Sequence, residues 1–170
     1  MHIKVTNQTS IECAHLLANG QVDFIITNYP NSGLLSSQKF RVINEFSDVF
    51  VANQEYFPLK GETVNLQKLQ TFPILMLDRK STTSEFLHHM FQKEQLDLVP
   101  EIELSSNDLL IDLARIGLGI AFVPDFCIPN NDRDLFQVKL TEKLPRRQMV
   151  VAYNENIPVS QASRQFMDML

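Results

Sequence analysis

Strand-like and helix-like segments alternate along the whole chain, separated by short polar turns. That alternation constrains the fold more than any other feature and predicts an α/β architecture. Residues 2–6 alternate apolar and polar as a strand should, and residues 22–26 form a short apolar run of the kind found in buried parallel strands. Between them a helix is expected, with Ile11, Ala14, Leu17 and Ala18 on one stripe and Gly20 at a left-handed C-terminal cap. Residues 40–46 and 48–52 are β-branched or aromatic and read as strands, followed by a polar stretch holding Pro58 and Gly61. A lobe boundary is placed near residues 51–54. The pattern then repeats: a strand at 74–77, a helix at 84–95 with Phe86, Leu87, Met90 and Phe91 on one face, and a strand at 101–104. A second helix is expected at 107–116 with Leu109, Leu110, Leu113 and Ala114 inward, then a buried strand at 120–123 stopped by Pro124. Strands at 135–140 and 148–153 and a helix at 160–170, striped by Ala162, Phe166, Met169 and Leu170, complete the chain.

Composition removes several classes of function. With 170 residues, 44% hydrophobic and 21% charged, the chain suits one domain or two small lobes and excludes disorder, collagen and coiled coil. No apolar run approaches the roughly 18 residues of a membrane helix, and the opening MHIKVTNQTS lacks the basic and hydrophobic stretches of a signal peptide. A cytoplasmic location without membrane contact is expected. Fifteen Lys+Arg against 20 Asp+Glu give a net charge of -5, which opposes phosphate binding, so no direct nucleic-acid binding by this chain is expected. Cys13 and Cys127 make neither a CxxC pair nor a disulfide framework and read as buried thiols.

The chemistry concentrates in the strand-to-helix turns. A hydroxyl stands three residues before a carboxylate in Thr9-Ser-Ile-Glu12 and in Thr82-Thr-Ser-Glu85, and Ser105-Ser-Asn-Asp108 is a looser version. This is capping-box spacing, and each box can simply satisfy orphan N–H groups at a helix start. The same turns lie beyond the carboxyl ends of strands, where helix N-termini attract anions. Two lobes facing each other with several such turns would hold a small anion, most simply a carboxylate. Arg79 and Lys80 precede one turn and could either neutralise that ligand or be a solvated pair. No GxSxG, HExxH, GxGxxG or Walker sequence occurs, so neither a catalytic residue nor a cofactor is expected. Glu12 with His15 and Glu85 with His88 could each offer two metal ligands but lack a third, so no metal is expected. Arg146 and Arg147 read as the solvated start of a strand.

Two stretches carry a resemblance: Leu16-Leu-Ala-Asn-Gly-Gln-Val-Asp-Phe-Ile-Ile26 and Leu113-Ala-Arg-Ile-Gly-Leu-Gly-Ile-Ala-Phe-Val-Pro124. Both resemble the effector-binding domain of LysR-type transcriptional regulators, in which a leucine-rich helix ends Gly-x-x-Asp before an apolar strand and a later helix ends Gly-x-Gly before a strand and a proline. Val49-Phe-Val-Ala-Asn-Gln-Glu-Tyr-Phe-Pro-Leu59 is similar to the family's strand into the second lobe, and residues 159–166 to its last helix. Gly117 fits a left-handed helix cap and Gly119 a tight turn into the strand. Asp23 opens an apolar strand and is expected to tie down a neighbouring turn.

The resemblance implies a two-lobed fold like type 2 periplasmic binding proteins, with two crossover strands as hinge and an effector held between the lobes. Residues 1–53 and 145–170 would form the first lobe and 54–144 the second. By position, the effector-contacting turns fall at Thr9 and Ser10, at Thr27 and Asn28, at Ser81, Thr82 and Thr83, and near Asn107, with Thr82 the foremost candidate. The implied function is sensing a small, carboxylate-bearing metabolite for a regulator that is homo-oligomeric through its effector domains. Relative to the family, the chain starts without the winged helix-turn-helix, the linker helix, and the first strand and helix of the effector domain. Met1 is therefore expected to be internal to a longer protein, or the first lobe to be incomplete or completed by another chain. A solute-binding protein and an enzyme of the same fold, such as a prephenate dehydratase, are the alternatives; the former would need an export signal and the latter a Thr-Arg-Phe signature.

Overall fold

The computed structural model describes residues 3–170. Its elements run α1 (Ser10–Ala18), β1 (Phe24–Tyr29), β2 (Gln38–Phe46), β3 (Asp48–Asn53), β4 (Thr63–Val64), α2 (Leu66–Leu69), β5 (Ile74–Leu77), α3 (Thr82–Lys93), β6 (Ile102–Leu104), α4 (Asn107–Arg115), β7 (Ile120–Pro124), β8 (Leu135–Gln137), β9 (Lys139–Leu140), β10 (Arg147–Asn154) and α5 (Gln161–Asp168). The alternation expected from sequence is present. The chain forms two compact units, one holding the residues up to Glu45 with Arg147–Leu170, the other Phe46–Arg146. The second unit thus begins before β3, not near Gln54, because β3 pairs along its length with strands of that unit.

In the first unit a three-stranded sheet has the order β1-β10-β2, and β1 runs antiparallel to β10 from the pair Phe24↔Tyr153 to Tyr29↔Gln148. Ala14 and Leu17 of α1 pack with Ile25 and Ala152 on one face. On the other, Phe166 of α5 stacks on Phe24 with ring centroids 5.7 Å apart. The apolar run at residues 22–26 thus belongs to a strand antiparallel to β10 that buries Ile25 under α1 and stacks Phe24 on α5 while leaving Ile26 42% exposed, not to a buried parallel one. The strand expected at residues 2–6 is also corrected: residues 3–9 carry no regular structure, and His2 lies outside the described residues. Alternation alone cannot hold a strand that has no ladder partner. Asp23 accepts a hydrogen bond from Ser163 Oγ at 2.7 Å, which identifies the turn it ties down as the start of α5. The stripe expected on α5 fails at its end: the helix stops at Asp168, Met167 is its buried residue, and Met169 is 73% exposed. Arg147 opens β10 buried rather than solvated, while Arg146 beside it is exposed.

The second unit is built on a five-stranded sheet of order β6-β5-β7-β3-β8, with β5 parallel to β6 and β7, and β3 antiparallel to β7 and β8. Every residue of β3, β5 and β7 is buried. Side chains alternate between two clusters: Phe50, Ile74, Met76, Ile120 and Phe122 meet Leu87, Met90 and Phe91 of α3, while Val49, Val51, Leu75, Ala121 and Val123 meet Leu110, Ile111 and Ala114 of α4. Period-two alternation with apolar side chains on both faces is what a continuous apolar run encodes. The inward face of α4 differs from expectation, since Ile111 is buried and Leu109 is 47% exposed. Residues 135–140 form two short strands, and the polar stretch before Ile74 carries β4 and α2, anchored by buried Leu66 and Leu69. β4 pairs in parallel with β9.

Two glycines shape the path from α4 into β7. Gly117 takes φ +82° as a left-handed cap, and a Cβ there would strike the ring of Tyr56. At Gly119 the cause differs from the expected tight turn: a Cβ would lie 2.6 Å from the Pro73 carbonyl oxygen and 2.7 Å from Leu75. At the last residue of α4, Arg115 Nη2 donates to Asp132 Oδ2 at 2.8 Å, while Asp132 Oδ1 accepts the N–H groups of Asp134 and Leu135 at 3.1 Å. The Arg115 carbonyl accepts from Asn53 Nδ2 at 2.6 Å. Burial pushes the Asp132 carboxyl up, but the Arg115 guanidinium and the two N–H groups outweigh it and hold it below its ordinary value.

Two consequences can be measured. Gly119→Ala should lower stability by about 1–3 kcal/mol, seen as a lower urea midpoint with unchanged slope, because the backbone oxygen of Pro73 cannot rotate away. Asp132→Asn should cost about 1–2 kcal/mol at neutral pH. Because the folded value is depressed, that contribution is complete above the ordinary value of 3.8 and is lost as the pH falls through the folded value, so the gap between variant and wild type should close in urea titrations run down through this range.

Candidate functional site

The candidate residues form one polar cluster in each unit. In the first, Thr9 caps α1 and its Oγ1 accepts the Glu12 N–H at 3.4 Å, as the capping-box spacing predicts. The centre of this cluster is Asn31, which the sequence reading missed. Its Nδ2 donates to the Ser10 carbonyl at 2.8 Å and to Thr27 Oγ1 at 2.9 Å, and its Oδ1 accepts the Gly33 N–H at 2.9 Å. Asn31 and Thr27 are 6% and 3% exposed, so the start of α1 is tied to the end of β1 through a buried amide. The signal for it was the Asn-x-Gly spacing of an Asx turn. Asn28, on β1 beside Thr27, is half-buried.

In the second unit the capping register is one residue earlier than expected at α3. Ser81, not Thr82, is the cap, and its Oγ accepts the Ser84 N–H at 3.0 Å, while Thr82 is the first helical residue. At α4 the cap is Ser106, accepting the Leu109 N–H at 3.3 Å, one residue later than Ser105, and Asn107 opens the helix. Sequence spacing to a carboxylate does not fix the cap, because either neighbouring hydroxyl can adopt the extended conformation that the position requires. Ser81, Thr82, Thr83 and Ser84 are all buried, and Ser84 Oγ and Asn107 Oδ1 find no hydrogen-bond partner among the described residues. Both turns follow the carboxyl ends of paired parallel strands, where Leu77 pairs with Leu104 and the Asp78 N–H donates to the Leu104 carbonyl at 2.9 Å. Polar groups thus collect at one edge of the sheet beside two helix starts, an arrangement that favours an anion. Arg79 is 77% exposed and lies 4.0 Å from Glu103, so a carboxylate of the chain itself already partners it.

Among the described residues no group of three or more His, Cys, Asp or Glu side chains could hold a metal, and no helix is long and apolar enough to cross a membrane. Cys13 and Cys127 are free thiols and half-buried, not fully buried as expected. Burial pushes the Cys127 thiol up to about 11, with the carboxylates of Asp108, Asp48 and Asp125 adding to it. The Cys13 thiol is raised mainly by burial, against its contact with the Gln8 carbonyl at 3.7 Å. Raised thiols remain protonated and unreactive at neutral pH.

Comparison with known proteins gives this geometry its context. The model of the LysR substrate binding domain matches residues 1–170. The HTH-type transcriptional activator CmpR of Synechocystis sp. PCC 6803 is 26% identical over 107 residues, 63% of this chain and 34% of CmpR, so the match spans about a third of that relative's length. Among solved structures, the CcmR regulatory domain of Synechocystis PCC6803 in complex with 2-PG superposes with a TM-score of 0.83 at 20% identity, covering 95% of this chain and 77% of the other. The effector binding domain of QuiR in complex with shikimate gives 0.81 at 17% identity, covering 94% and 75%. The C-terminal domain of a probable LysR family regulator from Rhodococcus sp. RHA1 gives 0.80 at 18% identity, covering 95% and 80%. These similarities establish the α/β, periplasmic-binding-protein-like fold, and the match along its full length places the chain in the LysR substrate binding domain family.

Proposed function

We infer that the chain is a small-molecule sensing module that acts in the cytoplasm within a transcriptional regulator and performs no catalysis of its own. The observation that carries this reading is the family match along the whole chain. The ligands in the similar CcmR and QuiR domains, 2-PG and shikimate, support a small metabolite as effector. Ser81, Thr82 and Thr83 at the start of α3, with Asn107 at the start of α4, are the effector contacts in the second unit; Thr9, Ser10, Thr27 and Asn28 are those in the first. A carboxylate is the favoured group because helix starts present N–H donors and positive dipole ends, and the hydroxyls beside them can donate further. Operator recognition belongs to a DNA-binding domain outside this sequence, and self-association of effector domains belongs to the full regulator.

Thermal shift against small carboxylates, with 2-PG and shikimate among them, tests the effector reading. A ligand at about 100 times its dissociation constant should add roughly 2.7 kcal/mol of stability. Thr82→Val, which keeps the shape and removes the hydroxyl, should weaken that response by about 1 kcal/mol or more. Hits that persist unchanged in Thr82→Val would show that this hydroxyl does not touch the ligand. In gel retardation with the promoter regions flanking its gene, the chain should show no sequence-dependent retention at low salt, as its charge of -5 predicts. Tight, sequence-dependent retention would instead place DNA reading on this chain itself.

A further inference from the structure

Charge is divided unevenly around the helix starts of the second unit. Along residues 78–85 and 103–108 stand four carboxylates, Asp78, Glu85, Glu103 and Asp108, against two cations, Arg79 and Lys80. Arg79 faces Glu103 at 4.0 Å, and Lys80 is exposed, with its backbone N–H held by Asp78 Oδ1 at 3.0 Å. Glu85 lies in the first turn of α3 and Asp108 in that of α4. Each helix thus sets a full negative charge against a dipole end worth about half a positive one. The buried groups at this edge, Ser81, Thr82, Thr83 and Ser84, are uncharged.

Two polar atoms beside these turns have hydrogen bonds left to make. Ser84 Oγ, on a residue 1% exposed, and Asn107 Oδ1 find no partner among the described residues. A buried polar atom left unmatched costs stability, and a ligand that matches it binds more tightly for doing so. Asn107 Oδ1 only accepts, so its match is an O–H or N–H donor, which neither a carboxylate nor an ionised phosphate supplies. Ser84 Oγ can donate or accept, so hydroxyl groups on a ligand satisfy both. A phosphoryl group meets the opposite conditions: it carries a charge of about −1.5 to −2, brings acceptors only, and calls for the Arg and Lys clamps that carboxylates outnumber here. We propose that the effector is a hydroxylated monocarboxylate without a phosphoryl group, its single charge held by the N–H donors of the helix starts and its hydroxyls matched to Ser84 Oγ and Asn107 Oδ1. That class rests on the effector role of these turns and narrows it.

Thermal shift with three matched series tests the class: hydroxylated monocarboxylates including glycerate and gluconate, their phosphate esters 3-phosphoglycerate and 6-phosphogluconate, and their deoxy counterparts propionate and hexanoate. A hydroxylated acid should bind about tenfold or more tightly than its ester and than its deoxy counterpart. Ser84→Ala should fold with a melting temperature close to wild type, because its hydroxyl has no partner to lose, and should shrink the gap between hydroxylated and deoxy acids severalfold. Glu85→Gln combined with Asp108→Asn, isosteric changes at exposed positions, should strengthen the esters by about threefold or more and the parent acids by less, since the more highly charged ligand gains more. An ester or a deoxy acid that binds as tightly as its hydroxylated parent overturns the class while leaving the effector reading in place. An undiminished preference in Ser84→Ala overturns the role of that hydroxyl. Silence of all three series at millimolar concentration overturns the class together with the carboxylate reading beneath it.

Discussion

The burial of β3, β5 and β7 on both faces is the constraint on which the second unit depends. A strand covered on both sides is apolar through its interior, with Asp48 and Asn53 of β3 confined to its two ends, and it must satisfy its backbone within the ladder. That requirement places β3 between β7 and β8, sends α3 and α4 to opposite faces, and forces the close approach of Gly119 to Pro73. Phe50 and Phe122, with ring centroids 4.6 Å apart, show how closely the residues of neighbouring strands fill one of those layers.

Central strands with so apolar an interior leave their polar chemistry to the strand ends. Ser81 and Ser106 stand there because helix starts need acceptors for orphan N–H groups, and these acceptors sit at the edge where the positive dipole ends of α3 and α4 also lie. Structural need and binding capacity arise from the same residues. In the first unit the buried amide of Asn31 does the corresponding work, fixing Ser10 and Thr27 relative to each other through a pair of donated hydrogen bonds.

The first unit is built more sparely. Among the described residues, three strands and two helices enclose a small cluster of Ala14, Leu17, Ile25 and Ala152, and Phe24, Ile25 and Ile26 of β1 line a groove together with residues 3–7. The aromatic stack of Phe24 on Phe166 and the hydrogen bond from Ser163 to Asp23 fix α5 against β1 and so keep that groove's walls in place.

The sequence by itself determined the α/β class, the order of the long elements and the glycine cap at Gly117, because hydrophobic period and left-handed caps are local properties of the chain. It also marked the polar turns, since capping hydroxyls must lie beside helix starts. Tertiary structure decided what depends on partners distant in sequence. Residues 3–6 have strand alternation but no ladder; β1 has a parallel strand's composition yet pairs antiparallel with β10, more than a hundred residues away. Leu109 and Ile111 exchanged their expected roles because the face of α4 is chosen by the sheet it packs on, not by its own periodicity. The cap moved from Thr82 to Ser81 for a related reason: either hydroxyl could begin the helix locally, and the burial of Thr82 and Thr83 beneath the turn selects the register that the packed unit adopts.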